Sequence, residues 1–92
     1  MTSEQIIKAL DRYLAHYAQD GEIPARFPSE EQMHSDPVLA VQHVLWMCHE
    51  AKKFAHASPA KAMRWLCFIQ GVLWALEGFT IDEFKDDNRG PG

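Results

Sequence analysis

An all-α fold is predicted by three observations in this 92-residue sequence. Apolar residues recur at three- and four-residue spacing in three stretches. Proline follows a helix-capping residue at Asp36-Pro37 and again at Ser58-Pro59, and no strand pattern, internal repeat or low-complexity tract interrupts the series. The predicted architecture is a small bundle of three main helices, over about residues 3–19, 37–57 and 59–77, plus a short C-terminal helix over about 81–87. A chain of this length makes one domain, with a proline-containing connection at 21–36 and a frayed tail at 88–92.

The first helix opens on Thr2 and Gln5, spaced as a capping box. Ile6, Leu10, Tyr13 and Tyr17 share its apolar face with Ile7 and Leu14 beside them, while Lys8, Asp11, Arg12 and Gln19 take the other. Gly21 is placed to end it. In the connection, Pro24, Pro28 and Pro37 break regular structure, and Ile23 and Phe27 are expected to tack the segment onto the core. Ser29-Glu30-Glu31-Gln32 also fits a capping box and one turn of helix. A segment this long is expected to wrap over a core face.

The second helix buries Val41, Val44, Met47, Cys48, Ala51, Phe54 and Ala55, and turns Gln42, His43, His49, Glu50, Lys53 and His56 outward. Trp46 falls in the middle of that polar face, a local conflict of the kind that marks interface positions. Trp46, with His49 and Lys53, is therefore a candidate partner-binding set. Ser58-Pro59 then turns the chain into an antiparallel hairpin with the third helix.

Lys61 to Gly78 is apolar almost all the way round, interrupted by Lys61, Arg64, Gln70 and Glu77. Such a helix must be covered on most sides, by the rest of the chain or by another copy, so a homo-oligomer is expected. Gln70 and Glu77 share one side, where a buried hydrogen-bond network or a ligand contact would satisfy them. Another side aligns Lys61, Arg64, Phe68, Gly71 and Ala75. There the small residues permit close approach, by another helix or by a flat ligand, and the cations suit a carboxylate or phosphate. Lys61, Arg64, Phe68, Gln70 and Trp74 are the candidate ligand-binding residues. After Gly78, Thr80 and Glu83 form a capping box, with Phe79 and Phe84 as its hydrophobic staple.

Composition narrows the function classes. A hydrophobic content of 47% with 24% charged residues fits a folded domain, and a net charge of -4 with scattered cations argues against binding a DNA or RNA duplex. The apolar runs are too short to span a bilayer, and the polar start of the chain lacks a signal-peptide pattern, so a cytoplasmic location is expected. Cys48 and Cys67 are expected to be reduced and packed as small hydrophobes. His49 and His56 lie two helical turns apart, about 10 Å, too far to chelate one metal ion unaided. Cys48-His49-Glu50 diverge by about 100° per residue on a helix and cannot form a nucleophile–base pair. No cofactor and no enzymatic activity are expected, although Cys67 meeting a histidine across helices stays open as a hydrolase alternative.

Three blocks of sequence carry a resemblance: Lys61 to Leu66, Phe68 to Trp74, and Thr80 to Lys85 with Asn88. Together they read KAxRWLxFIQGxLW…TIDExKxxN, an ending similar to that of a group of small bacteriophage proteins. Met47 to Ala51 with Phe54 resembles the helix that precedes the turn in the same group. The likeness spans about half of the chain, Met47 to Asn88, and departs at Cys67, where a small residue such as glycine is expected. What it implies is a phage origin. By class analogy, it also implies a non-enzymatic accessory protein that counters host defence by binding a host protein or sequestering a nucleotide-type signal. The alternative is a protein–protein inhibitor or oligomeric scaffold acting through an exposed aromatic helix face.

Overall fold

A computed structural model describes residues 1–31, 36–76 and 78–89. Four helices appear among them: α1 (Ser3–Ala18), α2 (Pro37–Phe54), α3 (Pro59–Ala75) and α4 (Ile81–Asn88). The small all-α bundle is as predicted. Helices α2 and α3 form the hairpin, α1 lies across both, and α4 docks on α1. Ile6, Leu10, Tyr13, Val44, Cys48, Leu66, Ile69 and Leu73 fill the centre and are sealed from solvent.

Local chemistry starts most of the helices. Thr2 and Gln5 make both bonds of a capping box, as do Thr80 and Glu83. Asp36 accepts from the backbone N–H groups of Val38 and Leu39. Phe79 and Phe84 close the predicted staple with ring centroids 5.8 Å apart. Ser58 departs from expectation: its side chain makes no capping bond, and its backbone N–H instead donates to the Phe54 carbonyl at 2.8 Å. Proline alone starts α3. Gly21, with φ at 74°, supplies the left-handed turn after α1.

The connection after α1 wraps onto α2 through its backbone more than its side chains. Ala25 N–H donates to the Gln42 carbonyl, and Phe27 N–H donates to His43 Nδ1, both at 3.0 Å. Ile23, expected to anchor the segment, is 69% exposed, because the backbone bonds already fix the path. Ser29 and Glu30 form a turn and not a helix start, and Gln32 lies outside the described residues.

Burial, and then the nearby Arg26 guanidinium, hold the His43 imidazole below its ordinary pKa of 6.5. A base depressed in the folded state supports stability above its unfolded pKa and loses that support as pH falls through the folded value. Protonation also removes the acceptor that Phe27 uses. Acidification below the ordinary imidazole value of 6.5 is therefore expected to release residues 25–27 before the helices melt. Amide exchange at Ala25 and Phe27 is the check, and protection that is unchanged down to global unfolding would refute it.

Candidate binding face on the third helix

The buried side of α3 is fixed by its own residues. Ala62, Leu66, Ile69 and Leu73 point into the core. Gln70, the one buried polar side chain among the described residues, is 6% exposed. Its Nε2 donates to the Tyr13 hydroxyl at 2.9 Å and to Asn88 Oδ1 at 2.8 Å, and its Oε1 accepts from Asn88 Nδ2 at 3.1 Å. Tyr13 in turn donates to Asp87 Oδ2 at 2.7 Å, and Arg12 pairs with both Asp87 and Glu83.

Gln70 is therefore not placed to meet a ligand. Every polar atom of its amide is engaged inside the chain. Its expected companion Glu77 lies outside the described residues. Asn88, assigned from sequence to a frayed tail, is the last residue of α4 and half of this amide pair. Burial pushes the Tyr13 phenol pKa well above its ordinary value, so it remains a protonated donor to Asp87.

The α2–α3 seam absorbs two more candidates. Trp46 stacks on His43 at 5.7 Å, tilts against Trp65 at 6.2 Å, and lies under the Arg26 guanidinium at 5.4 Å. It is half-buried, because the connection covers the side that a helical wheel leaves open. Lys61 extends over the Phe54 ring at 4.5 Å and near Trp65. Lys53 pairs with Glu50 on the same helix. His49 is exposed and borders a hollow of about 320 Å³ with Leu14, Ala18 and Pro24. The set of Trp46, His49 and Lys53 is thus split between a covered seam, an ion pair and a separate hollow.

The outer side of α3 is different. Arg64, Cys67, Phe68, Gly71, Trp74 and Ala75 are all exposed. Spacings of three and four place them on one stripe about 120° wide. Phe68 and Trp74 are 56% and 55% exposed, and Ile81 at the start of α4 is 53% exposed. From Cys67 to Ala75 the stripe holds no polar side chain. Beside Trp74 opens a shallow hollow of about 510 Å³, lined by Phe79, Ile81, Asp82 and Glu83 among others. Cys67 was expected to pack inside, but it sits on this stripe. Cys48 is fully buried, its thiol pushed up to about 12 by that burial.

Compared with known proteins, the chain matches no family model, no curated protein and no solved structure. Among the described residues no helix is long and apolar enough to cross a membrane, and no three His, Cys, Asp or Glu side chains gather as a metal site would require. Sequence reasoning missed Ile81 as part of the outer face. Its signal was present: an apolar residue at the first, solvent-facing position of α4.

Proposed function

We propose that this chain is a non-catalytic binding protein that engages a protein partner through the outer face of α3. The observation that carries the reading is the stripe from Cys67 to Ala75, exposed and wholly apolar, flanked by Phe68, Trp74 and Ile81. Contiguous exposed apolar surface of this kind marks interaction sites in soluble proteins. In the class that the resemblance to small phage proteins implies, such a partner is a host defence factor.

A nucleotide-type ligand draws less support. Lys61 and Trp74 stand 13 residues apart on one helix, about 20 Å, Gln70 is turned inward, and the hollow beside Trp74 is bordered by two carboxylates. A catalytic thiol is equally disfavoured at Cys48, since a thiol near 12 stays protonated.

The test is a photo-crosslinking amino acid introduced at Phe68, with exposed Lys8 of α1 as the control position. Irradiation in cells is expected to give a discrete protein adduct from position 68 and none from position 8, while calorimetry against nucleotides stays flat. Absence of any adduct from position 68, or equal adducts from both positions, would overturn the reading.

A further inference from the structure

Gly71 lies in the middle of α3 on its exposed stripe, and a side-chain carbon built there would meet nothing within 4 Å. Its backbone is ordinary helix and not the left-handed region. A glycine in a helix interior costs about 1 kcal/mol relative to alanine. Nothing among the described residues uses the missing side chain, whereas a second backbone approaching from outside would.

We propose that in the free protein this face is occupied by a second copy of the chain, packed antiparallel about a two-fold axis through Gly71, so that any other protein partner competes with self-pairing. The proposal rests on the outer face of α3 being the binding surface, and it names what sits there. In an antiparallel pair centred on Gly71, a residue n positions before the axis stands level with the residue n positions after it on the other copy. Phe68 then stands level with the partner's Trp74, and Trp74 with the partner's Phe68, on the two flanks of the contact. Cys67 stands opposite the partner's Ala75, small against small.

Arg64 comes level with the partner's Gly78, at the edge of the hollow that holds Asp82. The stripe is cationic at its N-terminal end, through exposed Arg64, and has an acidic neighbour at its other end, exposed Asp82 of α4. A two-fold antiparallel pair joins unlike ends twice, while a parallel pair would set Arg64 on Arg64. Such an isologous contact closes at two copies. Phe68, Trp74 and Ile81 leave roughly 300 Å² of apolar surface per copy, the apolar centre of a small and weak, reversible contact.

Sedimentation equilibrium from micromolar to near-millimolar protein tests this. Wild type is expected to pass from monomer to dimer. Gly71→Leu places bulk on the axis without touching the monomer, and is expected to weaken dimerisation at least tenfold while leaving the melting of dilute protein unchanged or raised. Arg64→Asp and Asp82→Arg are each expected to weaken it, and the double variant to restore it.

A wild type that stays monomeric, a Gly71→Leu dimer as tight as wild type, or a charge swap without rescue would each overturn the proposal. A monomeric wild type whose position-68 adduct is a different protein sinks self-pairing and leaves the binding face standing. A monomer without any adduct sinks both.

Discussion

Tyr13→Ala is expected to lower stability by about 3–5 kcal/mol, the range for removing a large aromatic side chain from a core. Tyr13 is fully buried and meets Phe79 and Phe84 edge-on, at 5.2 and 6.0 Å. Its hydroxyl also joins Gln70 to Asp87, so truncation leaves a cavity, an orphaned amide hydrogen and a carboxylate with one of its two donors gone. A domain of this length has only roughly 5–10 kcal/mol to lose. The variant is expected to keep roughly 0–7 kcal/mol and to melt at a markedly lower temperature. Tyr13→Phe separates the two contributions, since it keeps the ring packing and removes the bonds for about 1–3 kcal/mol. Urea unfolding followed by circular dichroism, with an unchanged m-value, is the measurement. A Tyr13→Ala loss below 1 kcal/mol would mean that the α1–α4 packing is wrong.

The second large effect is expected at Asp87. Its side chain is 11% exposed and accepts from both Tyr13 and Arg12. Asp87→Ala strands the Tyr13 hydroxyl and leaves Arg12 with Glu83 alone, a loss of about 2–3 kcal/mol in which the buried hydroxyl dominates. The Arg12 ion pair is more exposed and adds less than about 1 kcal/mol. Asp87→Asn retains an acceptor for Tyr13 and is expected to retain most of the stability. The same ordering should appear as faster amide exchange confined to α4. Equal losses for Ala and Asn would assign the effect to charge instead of hydrogen bonding.

The helices were legible in the sequence because their signals are local. Thr2 with Gln5, Asp36 with Pro37, and Thr80 with Glu83 each act within one helical turn, and the apolar spacing of α1 names its buried face correctly. What could not be read were partners brought together by tertiary packing. Gln70 stood out as a polar residue in an apolar helix, but its partners are Tyr13, 57 residues away, and Asn88, 18 away at the end of α4. Trp46 looked stranded on a polar face because the segment that covers it has no periodicity; Arg26 reaches it from a connection fixed by backbone bonds, and His43 stacks on it from its own helix. The apolar excess of α3 was plain. Which side stays uncovered became readable only once α1 and α2 had taken theirs, leaving Phe68, Gly71 and Trp74 outside.

The two cysteines differ in a way that turns the native chain into its own reporter. Cys48 is sealed in the core with a thiol near 12, while Cys67 is exposed on the stripe, next to Phe68 and one turn from Gly71. A maleimide dye added to the folded protein has one accessible place to react, without engineered labelling sites. If the stripe is occupied as proposed, the alkylation rate at that place falls with its occupancy. Measured against protein concentration, it reads occupancy of the α3 face directly.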